Sequence, residues 1–183
     1  MAEVKDQVVV VTGGSRGIGA GIVKGFVAAG ARVAFNGRDK AAGEALVAEL
    51  GAPDRVLFHQ GSSIERAEVA ALIDGTVGRF GKLDVLVNNV GGSSATNLFV
   101  DLTEEEWDAD LRLNLTSTFH ATQLALAHML PAEYGTIINI SSVEGKQGAP
   151  AMSAYCPAKH GPHGPTKPPA QRGGHSGGHV PPI

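Results

Sequence analysis

Short apolar runs alternate with longer amphipathic stretches along the first 160 residues of the chain. The first run, Gln7–Thr12, is β-branched and has no polar break, which is typical of a strand buried on both faces of a sheet. Further runs predict strands at Arg32–Phe35, Val56–His59, Leu83–Asn88 and Thr136–Ser141. The stretches between them repeat apolar residues at helical spacing and predict helices over Ile18–Ala29, Lys40–Leu50, Glu65–Phe80 and Thr103–Met129.

Capping signals support these helix boundaries. Gly30 and Gly51 follow predicted helices at the position where a glycine commonly ends a helix. Thr103 begins the longest helix, and three glutamates follow it in the first turn, where the helix dipole favours negative charge. Strands that alternate with helices form βαβ units. The sequence therefore predicts an α/β fold over residues 1–160, a doubly wound parallel sheet of the Rossmann type.

The composition of the chain changes after His160. Six of the ten prolines lie in the segment 161–183, with glycines and histidines beside them. Val180 and Ile183 are its only sizeable apolar side chains. Such a segment buries too little apolar surface to offset the entropy lost on ordering, so we expect an irregular tail at 161–183.

The overall composition disfavours several classes of function. A length of 183 residues with 43% hydrophobic residues suits one domain with its own core. The net charge of −3 argues against a nucleic-acid partner or an anionic membrane surface. Cys156 is the only cysteine, which excludes an internal disulfide and is typical of a reducing compartment. With no secretory signal and no apolar run of ~18 residues, we expect a cytoplasmic protein without a membrane partner.

A glycine-rich loop, Thr12–Gly19 (TGGSRGIG), joins the first predicted strand to the first predicted helix. Glycines here permit a tight turn and a close approach of backbone to a pyrophosphate, and a helix N-terminus adds unpaired N–H groups. No Gly-Lys-Ser/Thr follows, so a dinucleotide is favoured over a nucleoside triphosphate, and a ligand-free turn is the alternative. The predicted cofactor-binding residues of the loop are Gly13, Ser15, Arg16, Gly17, Ile18 and Gly19.

The end of the second strand indicates which dinucleotide is bound. An NAD site usually places an acid there for the ribose 2′-hydroxyl, whereas an arginine suits a 2′-phosphate. Asn36 and Gly37 offer no acid, and Asp39 comes too late to replace it. Arg38 follows directly, and Arg16 is a second partner for a phosphate, so NADP(H) is favoured over NAD(H). The alternative for either arginine is a solvated surface charge.

Tyr155 and Lys159 are four residues apart and would share one face of a helix. A phenol ordinarily titrates near pH ~10, and a nearby ammonium favours the phenolate, which suits proton exchange with a substrate. Ser142 follows the fifth strand and could donate a hydrogen bond to a carbonyl oxygen. Taken singly, each has a structural alternative: a half-buried tyrosine, a solvated lysine and a capping serine.

Together these motifs resemble the short-chain dehydrogenase/reductase family. The resemblance covers residues 1–160 and rests on the order and spacing of its motifs. They are Thr12–Gly19, Asn88–Gly91 (NNVG), Asn114 in LRLNLTSTF, Ser141–Ser142 and Tyr155–Lys159 (YCPAK). It departs from the family at Val90, where alanine is usual, and at Ser62, where an aspartate is common.

The resemblance implies a role for each matching residue. Tyr155 would be the general acid/base, and Lys159 would lower its pKa and hold the ribose hydroxyls. Ser142 would orient the substrate carbonyl. Asn114 would hold a water that connects Lys159 to solvent, with a polar kink in a long helix as its structural alternative. The residues implied to line the adenosine side of the cofactor are Asn88 and Gly91.

The implied activity is NADP(H)-dependent hydride transfer between nicotinamide and a small-molecule ketone or secondary alcohol. The chain looks most like 3-oxoacyl-carrier-protein reductases. The resemblance also implies that the reaction needs no metal ion and that the protein assembles as a homotetramer or dimer.

Beyond His160 the sequence departs from the family pattern. Prolines at 162, 165, 168 and 169 stand where the family continues a helix, and each interior proline costs a helix about 3 kcal/mol. We therefore expect a truncated or altered C-terminus that lacks the sixth and seventh strands, with poor solubility or activity. The alternatives are a catalytically incompetent remnant that at most binds dinucleotide, and a nucleotide-dependent regulator, which leaves Tyr155 and Lys159 unexplained.

Overall fold

A computed structural model describes residues 4–93 and 96–161 of the chain. Its strands are β1 (Val8–Val11), β2 (Arg32–Gly37), β3 (Val56–Gln60), β4 (Val85–Asn88) and β5 (Thr136–Asn139). Its α-helices are α1 (Gly17–Ala28), α2 (Lys40–Leu50), α3 (Arg66–Phe80), α4 (Glu104–Leu111), α5 (Ser117–Met129) and α6 (Tyr155–His160). Apart from Gly161, the tail predicted at 161–183 lies outside the described residues, and the domain boundary at 160 stays a prediction.

The strands form one parallel sheet in the order β3-β2-β1-β4-β5. The chain thus moves outward from β1 in one direction and returns to β4 on its other side. In open α/β sheets, ligands bind at the carboxyl ends of the strands where the order reverses, which here lies between β1 and β4. The predicted doubly wound α/β fold is confirmed.

The core lies on both faces of the sheet. All four valines of β1 are fully buried, and burial of a valine side chain stabilises a fold by about 1.5 kcal/mol or more. One face packs against α3 and α5 through Leu72, Ile73 and Ala125. The other face packs against α1 and α2 through Val23 and Leu46. The β-branched run of β1 is buried on both faces, as its sequence predicts.

The helix predicted over Thr103–Met129 is interrupted. It consists of α4, a single π-helical turn at Arg112–Thr116, and α5. Thr103 begins it with a capping box, in which its hydroxyl accepts from the Glu106 N–H at 3.2 Å and the Glu106 carboxylate accepts from the Thr103 N–H at 3.0 Å. Single π-turns within α-helices are frequent at functional sites, and this one carries Asn114.

Pro157 is compatible with α6 because it is the third residue of the helix. A proline is tolerated in the first turn, where its missing N–H has no partner within the helix. Tyr155 and Lys159 therefore lie in one short helix, at the spacing that the sequence predicts.

Candidate dinucleotide and catalytic site

A pocket of about 410 Å³ opens at the carboxyl ends of the strands, over the switch point between β1 and β4. The glycine-rich loop after β1 forms its floor, and the segments after β2, β3 and β4 form its walls. The sequence-predicted residues among its lining are Gly13, Ser15, Arg16, Ile18, Gly19, Arg38 and Gly91. Others in the lining are Gly37, Gly61, Ser62, Ser63, Ile64, Asn89, Val90 and Leu113.

Glycine is required in the loop for two reasons. Gly13 and Gly17 have φ angles of 65° and 53°, which side-chain-bearing residues rarely adopt. A Cβ on Gly19 would overlap the carbonyl oxygen of Gly13. No side chain caps the first turn of α1, which begins at Gly17. The turn therefore offers its N–H groups and the positive end of the helix dipole to an anion.

Two asparagines fix this loop between the neighbouring strands. Asn89 Nδ2 donates to the carbonyl oxygens of Thr12 at 3.0 Å and Gly13 at 3.2 Å. On the other side, Asn36 Oδ1 accepts from the Gly13 N–H at 2.9 Å and from Ser63 Oγ at 3.0 Å. The loop conformation is thus held from both β4 and β2. Sequence reasoning missed both roles, although the second asparagine of NNVG was a signal for one of them.

The pocket mouth beside β2 carries two guanidinium groups and one carboxylate. Neither residue at the end of β2 carries an acid: Asn36 is fully buried, and Gly37 lies against Ser15. Arg16 forms an ion pair with Asp39, which also caps α2 by accepting from the Ala42 N–H at 3.0 Å. Arg38 is exposed at the mouth. The mouth therefore favours an anion.

Lys159 is a buried cation, with only 5% of its surface exposed. Its Nζ donates to the Ile140 carbonyl oxygen at 3.2 Å and lies 5.9 Å from the centre of the Tyr155 ring. Burial lowers the pKa of Lys159 below its ordinary value of 10.5. The structure thus brings the two predicted catalytic residues of α6 together.

Asn114 lies against Gly91, next to Lys159. A Cβ on Gly91 would overlap Lys159 Nζ and would lie 2.7 Å from Asn114 Oδ1. The Asn114 side chain clamps Gly92, donating to its carbonyl oxygen at 2.8 Å and accepting from its N–H at 3.0 Å. It also donates to the Asp110 carbonyl oxygen at 2.9 Å. These bonds position the backbone after β4 beside the lysine, and the water predicted on Asn114 stays a prediction.

Ser142 lies after β5, just before a short 3₁₀ turn at Val143–Gly145. Its hydroxyl donates to the carboxylate of Glu144, and this bond lowers the pKa of Glu144. Gly145 packs against α6, because a Cβ there would lie 3.0 Å from the Lys159 carbonyl oxygen. The turn that carries Ser142 is thereby packed against the helix that carries Tyr155 and Lys159.

Four predicted cofactor residues lie outside the pocket lining: Gly17, Asn88, Tyr155 and Lys159. Gly17 shapes the turn at the start of α1. Asn88 is buried behind the wall, where its Nδ2 donates to Thr122 Oγ1 at 3.1 Å and Asn139 Oδ1 at 2.9 Å. Its bonds join β4 to α5 and β5, so it supports the wall, and its predicted contact with the cofactor stays a prediction.

A sequence model of short chain dehydrogenases matches residues 7–177. The chain belongs to this family. It is 40% identical over 158 residues to D-beta-hydroxybutyrate dehydrogenase of Cupriavidus necator, covering 86% of this chain and 61% of the relative. It is 37% identical over 156 residues to the NADP-dependent (R)-specific alcohol dehydrogenase of Lentilactobacillus kefiri, covering 85% and 62%. It is 38% identical over 169 residues to 3-oxoacyl-[acyl-carrier-protein] reductase of Synechocystis, covering 91% and 68%.

The short-chain dehydrogenase match runs into residues that the structure does not describe. The chain spans about three fifths of the length of the first two of these relatives. Within residues 4–93 and 96–161, no helix is long and apolar enough to cross a membrane. In the same residues, no group of three or more His, Cys, Asp or Glu side chains could hold a metal ion. Short-chain dehydrogenases use nicotinamide dinucleotides, and the pocket at the switch point lies where such a group binds this fold.

Proposed function

We propose that the whole protein transfers hydride between NADP(H) and a small-molecule ketone or secondary alcohol, with Tyr155 as the general acid/base. The observation that carries the proposal is the buried Lys159 ammonium, 5.9 Å from the centre of the Tyr155 ring, beside Gly91. A buried cation next to a phenol has a direct chemical use, because it stabilises the phenolate formed when the phenol gives up its proton.

The pocket fits a dinucleotide. The uncapped N-terminus of α1 and the side-chain-free surface at Gly19 suit a pyrophosphate. Lys159 Nζ lies against Gly91 of the pocket lining, where a Cβ would overlap it, and we assign the ribose hydroxyls to Lys159. Ile18, which is 71% exposed, offers apolar surface at the mouth of the same pocket. When bound, the nicotinamide supplies or accepts the hydride at its C4 atom.

The chain's own residues handle the proton. In reduction, the Tyr155 hydroxyl gives its proton to the carbonyl oxygen as the carbonyl carbon gains hydride. The charged Lys159 then stabilises the phenolate, and a water beside Asn114 returns the proton from solvent. Ser142 donates a hydrogen bond that orients the carbonyl oxygen. In oxidation each transfer runs in reverse.

We expect NADPH to bind about tenfold or more tightly than NADH, because the 2′-phosphate would meet Arg38 and Arg16 at a mouth whose one carboxylate, Asp39, is paired with Arg16. The replacement Arg38→Gln should remove most of this preference without changing NADH affinity. The control is Arg79→Gln at the far end of α3, which should change neither. Fluorescence titration with each reduced cofactor measures the affinities, and tighter binding of NADH by the unmodified protein would contradict the preference.

The activity itself is tested by following NADPH oxidation with a panel of ketones and 3-oxoacyl thioesters. Turnover with a ketone supports the proposal. NADPH binding without turnover of any carbonyl compound would instead support a chain that binds dinucleotide but is catalytically incompetent. We further propose that the protein is a homo-oligomer, which light scattering of the purified protein would test. We also propose that it is located in the cytoplasm, which cell fractionation would test.

A further inference from the structure

An acidic side chain stands directly beside the serine of the candidate catalytic site. Ser142 Oγ donates its hydrogen bond to Glu144 Oε2. Both side chains are half-buried, at the start of the turn that packs against α6. The charge of Glu144 therefore lies within one hydrogen bond of the atom that would orient the substrate carbonyl.

The bond matters because a serine hydroxyl has one proton to donate. Here that proton goes to Glu144, whose pKa is lowered, so the carboxylate is charged at neutral pH. A carbonyl oxygen of a substrate accepts hydrogen bonds and cannot donate them. Ser142 can therefore donate to a substrate only when its bond to Glu144 is broken, which leaves that carboxylate oxygen to accept from water or from a donor on the substrate.

Nothing among residues 4–93 and 96–161 neutralises this carboxylate, since Glu144 forms no ion pair there. The nearest cation along the chain is Lys146, which is exposed and lines a groove of about 430 Å³ next to Ser142. Ser142 lines the same groove, so a substrate carbonyl bound to Ser142 would lie close to the Glu144 carboxylate, which has no ion-pair partner among the described residues.

We propose that Glu144 makes this site selective for uncharged carbonyl compounds that carry a hydroxyl group next to the carbonyl, and that it disfavours substrates with a carboxylate there. The proposal rests on the proposed function, because it assigns Ser142 to the substrate carbonyl. The substrate hydroxyl would donate to Glu144, which releases the Ser142 proton for the carbonyl oxygen. A substrate carboxylate would be repelled and would leave Ser142 bonded to Glu144.

The distances support this assignment. Glu144 and a substrate carbonyl oxygen would both be hydrogen-bond neighbours of Ser142 Oγ, so they would lie within roughly 5.5 Å of each other. A hydroxyl on the carbon next to a carbonyl bridges such a gap. A substrate carboxylate on that same carbon would lie at a similar distance from Glu144 and would be repelled, and because Glu144 is in contact with solvent we expect a discrimination of about tenfold rather than more.

The test compares three methyl ketones that differ in one group: hydroxyacetone (hydroxyl), butanone (methyl) and acetoacetate (carboxylate). We expect kcat/KM with NADPH to be highest for hydroxyacetone and at least about tenfold lower for acetoacetate. In Glu144→Gln the ratio of kcat/KM for hydroxyacetone to kcat/KM for acetoacetate should fall to about threefold or less, mainly because kcat/KM for acetoacetate rises. Ligand-observed NMR with NADP⁺ present measures the same preference without turnover.

Glu133→Gln is the matched control, because it removes one negative charge from the turn before β5, at the opposite end of that strand. Its ratios should equal those of the unmodified protein. A ratio near one in the unmodified protein, a preference for acetoacetate, or an unchanged ratio in Glu144→Gln would each overturn the inference while the proposed function stands. NADPH binding with no carbonyl bound or reduced would overturn both, and absence of NADPH binding would overturn the proposed function first.

Discussion

Replacing Tyr155 with phenylalanine is expected to lower kcat for ketone reduction by about 10³-fold while leaving NADPH affinity within about twofold. The change removes one hydroxyl and keeps the ring beside Lys159, so only the proton donor is lost. General acid catalysis by a positioned side chain contributes about 10²- to 10⁴-fold, which sets the expected size. Steady-state kinetics and fluorescence titration of NADPH measure the two effects separately.

The second tyrosine of the chain provides the control. Tyr134 lies far from α6, and its hydroxyl accepts a surface hydrogen bond from Gln7 Nε2 at 3.1 Å. Tyr134→Phe makes the same chemical change and should keep full activity. If Tyr155→Phe retained more than a tenth of the turnover, the acid/base role would have to pass to another group.

Replacing Lys159 with methionine is expected to make the protein more stable and at least about 100-fold less active. Only 5% of the Lys159 surface is exposed, and among the described residues its ammonium donates to one carbonyl oxygen, that of Ile140, so its charge is incompletely solvated in the fold. A methionine of similar length removes that cost, with an expected gain of about 1 kcal/mol, or roughly 2–4 °C in Tm. Activity falls because the charge beside Tyr155 and the proposed ribose contact are both lost.

The pH dependence of this difference has a definite sign. Burial lowers the pKa of Lys159 in the folded protein, so between that pKa and 10.5 the unfolded chain holds a proton that the folded chain has released. The free energy of unfolding contributed by this residue therefore rises with pH across that window. The advantage of Lys159→Met should be largest at neutral pH and should shrink towards pH ~10.

Urea unfolding of both proteins at several pH values measures this change. Lys24→Met, at an exposed ion pair with Glu49, is the control and should shift stability by no more than about 0.5 kcal/mol at any pH. An advantage of Lys159→Met that grows with pH would contradict the assignment of the effect to the buried charge.

The fold could be predicted because its strands are marked by composition and its helices by spacing. The valines of β1 leave no polar residue in the strand, and Gly51 ends α2 in the left-handed conformation at the predicted position. The interruption at Arg112–Thr116 could not be predicted in the same way. Apolar spacing does not distinguish one wide turn from the α-helix around it, although the polar Asn114 is compatible with a kink there.

The candidate site could be predicted wherever one motif brings its own residues together. Tyr155 and Lys159 share α6, and the glycines of the loop share one turn. Contacts between loops were not accessible in this way, because they depend on the path of the chain in space. The clamp of Asn89 on Gly13 joins segments 76 residues apart, and the Ser142–Glu144 bond depends on how one turn bends.

The π-turn also sets the rotational phase of the helix that follows it. Asp110, Asn114, Thr118 and Thr122 are buried and stand at every fourth position. In an uninterrupted α-helix such a row drifts by about 40° per step, which would turn its two ends about 120° apart. The wide turn takes up one additional residue and reverses about 100° of that rotation. One row of buried polar side chains therefore runs along the helix, and it includes the Asn114 amide, which binds Gly92, and the Thr122 hydroxyl, which binds Asn88.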